Sequence, residues 1–172
     1  MLDYFTPTLA DHGEALSAMA RQCFVDTFAH LYSADDLAAF LDEVYGPDGD
    51  MLRDLANPVY HWRAAAEDGR IAGYVKVGPV GVPAPDPLPG ALELKQLYVL
   101  KPWHGTGVAG TLTDWAIANA RERGAPELYL SVFDHNHRAK KFYARYGFED
   151  VGGCEFRVGN QIDQDRMWKR AL

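Results

Sequence analysis

Cysteine is scarce in this chain. Its 172 residues hold two, Cys23 and Cys154, far apart in sequence. That excludes the disulfide framework of a small secreted scaffold, and free thiols in a cytoplasmic protein are expected. Long apolar runs are missing too. No segment approaches the roughly 20 residues a membrane-spanning helix needs. The opening MLDYFTPTL lacks the charged start of a secretory signal, so no membrane partner is expected. Basic residues are outnumbered, 17 Lys and Arg against 24 Asp and Glu, for a net charge of −7. Such a balance disfavours nucleic acid and mildly favours a cationic ligand. Repeats and low-complexity tracts are lacking. His135 and His137 form a close pair, but no third or fourth ligand stands at a sensible spacing, and no metal is expected.

What is present is ordinary globular material, 48% hydrophobic and 24% charged. The length allows a real core, and one domain spanning residues 1–172 is expected. The periodicity predicts a short strand over 4–8 and a helix over 11–27, with Leu16, Met19, Cys23 and Phe24 on one face. Ser33 reads as the N-cap of a second helix, with Asp35 and Asp36 in its first turn. Gly46-Pro47-Asp48-Gly49 ends that helix, and a short one fits 51–56. Strands over 61–66 and 71–77 flank Asp68-Gly69, a hairpin signal. The proline-rich 78–90 reads as a loop. A strand over 91–99, a helix over 108–123, a strand over 127–133 and a helix over 136–146 follow. Strands over 150–158 and 165–169 close the chain. The class is α/β, with a mixed sheet.

Residues 97–112, LYVLKPWHGTGVAGTL, carry the strongest functional signal. A strand runs into a glycine loop, and the loop opens a helix. Free amides at such a helix start suit an anion, and glycines let the backbone approach it closely. No Gly-Lys-Ser/Thr ending follows, which excludes the nucleoside-triphosphate loop. The loop sits past the chain midpoint, where a dinucleotide fingerprint would open the first strand–helix unit. A cofactor pyrophosphate is the expected ligand. Downstream, Asn136 reads as an N-cap, Gly147 as a stop, and Ala139, Phe142, Tyr143 and Tyr146 fall on one helical stripe.

These two motifs resemble the GNAT superfamily of N-acetyltransferases. His104-x-x-Gly107-x-Ala109 is similar to its acetyl-CoA loop, and Asn136, Ala139, Phe142 and Tyr143 match its later Asn-x-x-Ala-x-x-Phe-Tyr segment. The resemblance covers residues 1–170. It implies a GNAT fold: a mixed, mostly antiparallel sheet, flanked by helices and splayed between two strands around the cofactor. It implies acetyl-CoA as acetyl donor, held by Leu97, Tyr98, Val99, His104, Gly105, Thr106, Gly107, Val108, Ala109, Gly110, Asn136, Lys140 and Tyr143. It also implies Tyr143 as general acid toward the leaving thiolate and Glu93 as general base. The alternation along the strand places Glu93 with Lys95 on one face and Leu94 with Gln96 on the other. His104 departs from the usual Arg or Gln. A largely neutral imidazole is a weaker partner for pyrophosphate, and its grip varies with pH. Members are often homodimers.

The segment Phe24–Tyr45, with GRIAGYVKV, LELKQLYVL and GNQIDQDRMWK, resembles bacterial spermidine/spermine N-acetyltransferases of the PaiA type. That implies a small cationic amine as substrate. A polyamine needs spaced carboxylates and aromatic faces. Asp35 and Asp36, with Asp26, Asp42 and Glu43 behind them, are candidates for the charge. Phe28, Tyr32 and Tyr45 are candidates for the rings. Neither cysteine has an activating neighbour, so direct transfer is expected rather than an acetyl-cysteine. Two other readings stay open: a peptide or protein N-acetyltransferase, and an acyl-CoA-binding sensor without turnover.

Overall fold

Thr8 begins the helical part of the chain, in a computed structural model that describes all residues 1–172. Its hydroxyl accepts the Asp11 amide at 3.2 Å and caps helix α1, Leu9–Phe28. Thr8 therefore belongs to a cap and not to a strand. Strand β1 stops earlier than the alternation predicts and covers Leu2–Phe5. A single 3-10 turn, Ala29–Leu31, leads to α2, Ala34–Tyr45, capped by Ser33. Helix α3 is Asp50–Ala56. The hairpin β2–β3, His61–Glu67 and Arg70–Pro79, turns at Asp68 and Gly69, both at positive φ. After the proline-rich loop come β4, Leu92–Val99, α4, Val108–Glu122, β5, Glu127–Phe133, and α5, His137–Arg145. Strands β6, Glu149–Val158, and β7, Gln161–Ala171, form the last hairpin.

Seven strands make one sheet in the order β1-β2-β3-β4-β5-β7-β6. Every neighbouring pair is antiparallel except β4–β5. A core fills each face. On one, α1–α3 pack Leu16, Phe24, Phe40 and Met51 against Trp62 and Tyr74. On the other, Val108, Leu112 and Ile117 of α4 and Tyr143 of α5 pack against Val75, Val77, Leu128 and Leu130. Strand β3 serves both cores, which is why it is buried from Ile71 to Gly78.

Two departures from the expected strands matter for the site. The first is a bulge in β4. Lys76 pairs with Gln96 and Val77 with Leu94, so Lys95 has no partner on β3. One extra residue reverses the alternation. Leu94 joins Leu97 and Val99 in the second core. Gln96 instead accepts from the Tyr74 hydroxyl at 3.0 Å on the opposite face. The expected Leu94–Gln96 face does not exist. The second departure is the length of β7, which starts at Gln161 and not at Asp165. Gly159, at φ 57, supplies the tight reversal that pairs it with β6 from Val158 onward.

Candidate active site

The sheet opens between β4 and β5. They share two register pairs, Leu92 with Leu128 and Glu93 with Tyr129, and then part. Beyond Glu93 the polar backbone groups of β4 aimed at β5 have no ladder to join. The gap leads into a cavity of about 190 Å³, several times the roughly 30 Å³ share of one liquid water. Leu97 and Tyr98 line it from β4, and Ser131 and Val132 from β5. The splay expected around the cofactor is present.

The glycine loop lies at the end of β4. A 3-10 turn over Lys101–Trp103 is followed by His104 and then by Gly105 and Gly107 at φ 81 and 93. A side chain at either position would force a left-handed backbone that L-residues avoid. Thr106 stays in the turn by donating its hydroxyl to the Trp103 carbonyl at 2.7 Å. Helix α4 starts without a side-chain cap. Its first turn is anchored by fully buried Val108, and the amides of Gly107, Ala109 and Gly110 have no acceptor within the protein. An anion is the natural partner for such a row. His104 has both ring nitrogens engaged, Nε2 with the Val99 carbonyl at 2.8 Å and Nδ1 with Arg138 Nη1 at 2.9 Å.

Helix α5 closes the other side of the gap. Asn136 Oδ1 caps it by accepting the Ala139 amide at 3.1 Å, and both residues face the cavity. Two turns on, Tyr143 also lines the cavity. It is 8% exposed, and its hydroxyl has no partner in the protein. Burial, with a smaller contribution from Tyr98, holds this phenol well above its ordinary pKa, so it keeps its proton. Lys140 is tied to Asp134, which it pulls below the usual carboxylate range. These residues fit a coenzyme A thioester. The α4 amides would meet its pyrophosphate, the parted strand its pantetheine arm, and Tyr143 its sulfur. The bound cofactor would supply an acetyl group on a thioester, activated for attack by nitrogen.

Beyond Tyr143 the cavity acquires a different lining. Phe24, Phe28, Tyr32, Phe40 and Tyr45 form an aromatic wall. The predicted rings are therefore in place, but the predicted acids are not. Asp35 is exposed, and Asp36 turns away to accept Ser33 Oγ and the Asn160 amide. Asp26, Asp42 and Glu43 are exposed as well. Glu93 is buried outside the cavity lining. Its Oε2 takes the Gly81 and Val82 amides at 2.6 and 3.1 Å and Lys95 Nζ at 3.0 Å. That carboxylate pins the proline-rich loop to β4.

The acids in the cavity are Asp163 and Asp165 of β7, each 8% exposed. Neither stands out in the sequence when the strand is started at Asp165. The signal was Gly159-Asn160 between two alternating runs, a hairpin reversal that puts Asp163, Asp165 and Met167 on one face. Asp163 takes the Tyr32 hydroxyl on Oδ2 and Gln161 Nε2, at 2.8 Å, on Oδ1. Burial, reinforced by Asp163 and Asp134, raises the Asp165 pKa to about 6. Aromatic rings and two buried carboxylates thus line one cavity, a combination whose chemistry suits a cation.

The chain is similar to several known proteins. The model of the Acetyltransferase (GNAT) family matches residues 18–148. An uncharacterized N-acetyltransferase in the pepI 3′ region of Lactobacillus delbrueckii subsp. lactis is 30% identical over 155 residues, covering 90% of this chain and 89% of the relative. An uncharacterized N-acetyltransferase of Mycobacterium bovis is 31% identical over 159 residues, covering 92% and 97%. The fold of a PaiA N-acetyltransferase from Thermoplasma acidophilum, in complex with coenzyme A, matches with a TM-score of 0.77 at 19% identity, over 100% of this chain and 99% of that one. The family match runs from α1 through the glycine loop to Asn136 and Tyr143, and the chain therefore belongs to the GNAT family, with acetyl-CoA-dependent N-acetylation as its chemistry.

Proposed function

We propose that the acceptor is a primary amine on a small cationic molecule, with a polyamine as first candidate. The observation that carries this reading is the pair Asp163 and Asp165, buried in the same cavity that the aromatic rings line. An ammonium group there would exchange water for two carboxylates and several ring faces. An uncharged acceptor would leave the Asp165 carboxylate, which takes no hydrogen bond from the protein, without a charged donor.

Transfer is direct in this reading. Burial pushes the Cys23 thiol up to about 12, with Asp26 adding to it, and it also raises Cys154, so neither offers a thiolate. Amides of β4 near Tyr98 and Val99 polarise the acetyl carbonyl, and Tyr143 gives its proton to the departing sulfur.

The test is release of coenzyme A thiol from acetyl-CoA across a panel of spermidine, spermine, short diamines, aminoglycosides, amino acids and short peptides. Turnover concentrated on polyamines supports the reading. Turnover confined to peptides moves the acceptor to a protein terminus, and tight acetyl-CoA binding with no turnover makes the chain a sensor.

A further inference from the structure

We propose that Asp165, and not Glu93, removes the acceptor's proton. The role rests on the amine reading above, and three observations of geometry lead to it.

The first is the difference between the two buried acids. Asp163 is held at both oxygens, by Tyr32 and by Gln161. Asp165 is equally buried, lines the same cavity and accepts no hydrogen bond from the protein. Its oxygens open onto the cavity, where only water or a ligand can donate to them. An ammonium on the acceptor would be that donor. The second observation is the occupation of Glu93. Its contacts with two loop amides and with Lys95 leave it outside the cavity lining. The third is position. Asp165 pairs in register with Phe133 on β5, whose strand also gives Ser131 to the cavity, and it lines that cavity together with Tyr98 and Tyr143.

The charged and titratable groups around Asp165 come from every neighbouring element. Asp163 shares its strand, and Cys154 is its register partner on β6. Asp134, paired with Lys140, follows β5. Tyr32 and Tyr98 line the cavity from α1's continuation and from β4, and Lys95 lines it while bound to Glu93. Burial first, and then the neighbouring acids Asp163 and Asp134, raise the Asp165 pKa to about 6. Such a base is ionised at neutral pH yet still accepts a proton well.

The step balances. Asp165 takes one proton from the ammonium and later passes it to solvent. The freed nitrogen forms a bond to the acetyl carbonyl carbon as the carbon–sulfur bond breaks. The sulfur receives the Tyr143 proton, and Tyr143 is restored by the second proton lost from nitrogen. Amide, free thiol and one released proton result.

The test is the pH profile of kcat/KM for spermidine, from pH 5 to 9, in the wild type and in Asp165→Asn, Asp165→Glu, Asp163→Asn and Glu93→Gln. Coenzyme A binding by calorimetry and thermal unfolding are read on the same preparations. The expected result is an acidic limb near pH 6 in the wild type and in Glu93→Gln. Asp165→Asn loses that limb and falls about 100-fold or more, with coenzyme A affinity kept, and Asp165→Glu regains part of it. The role is overturned if Asp165→Asn keeps the limb and most of its rate, or if Glu93→Gln loses the limb instead. Absence of wild-type turnover with spermidine and every other amine in the panel overturns the amine reading, and this role with it.

Discussion

Arg138 donates to His104 Nδ1 at 2.9 Å, while His104 Nε2 meets the Val99 carbonyl at 2.8 Å. A carbonyl only accepts, so the ring hydrogen belongs on Nε2, and Nδ1 receives the guanidinium. His104 therefore orients a cation without supplying one. The charge expected at this position of the loop is brought from α5 by Arg138.

Replacing Arg138 with Ala is accordingly expected to weaken coenzyme A binding roughly tenfold, the order of one charge-assisted hydrogen bond. Calorimetry at low and high salt checks it, and the gap between variant and wild type should narrow as salt rises. Dephospho-coenzyme A in the same experiment separates the pyrophosphate from the 3′-phosphate as the group contacted.

Tyr143→Phe should lower kcat by about 100-fold and leave coenzyme A affinity and unfolding temperature nearly unchanged. The hydroxyl it removes makes no bond within the protein, so no structural contact is lost with it. Single-turnover thiol release at saturating cofactor is the measurement.

Gly107→Ala should cost stability of about 1–2 kcal/mol through backbone strain alone. Its φ is 93, yet nothing lies within 4 Å of an added Cβ. Urea unfolding measures the loss. Gly73→Ala is the contrast, because there the new carbon would meet the Tyr98 carbonyl at 2.7 Å and the Val99 side chain at 2.9 Å. That clash should shift β4 and the cavity with it.

Asp165 also makes a prediction about stability. Its pKa is higher folded, about 6, than the ordinary 3.8. The folded state then binds more protons between those values, so stability falls as pH rises through that window. Asp165→Asn should stabilise the protein at pH 7.5, by on the order of 1 kcal/mol, and do little at pH 4. Unfolding temperatures at the two pH values decide it.

Most of the donor side was legible in the sequence because it is local. Gly105, Gly107, Asn136 and Tyr143 announce themselves through turn chemistry and helical spacing, and each works within its own loop or helix. Of the residues proposed for an acceptor, the rings line the cavity and the helix acids do not. Phe28 and Tyr32 point inward as any core ring does. The acids were misassigned because charge alone does not reveal burial. Asp36 looks like a ligand on an acidic helix, but it holds the Asn160 amide and Ser33, contacts that keep its carboxyl below the usual range. Asp163 lies before the predicted start of its strand, and the bond of Glu93 to the Gly81 and Val82 amides is a loop contact that periodicity cannot show.

The bond from Asp36 to Asn160 joins residues 124 apart in sequence and fastens α2 to the β6–β7 reversal. The wall of the acceptor cavity comes from residues 24–45 and its floor from Asp163 and Asp165. A slip of the β6–β7 hairpin would therefore move the two acids and loosen the helix that carries part of the aromatic lining at the same time.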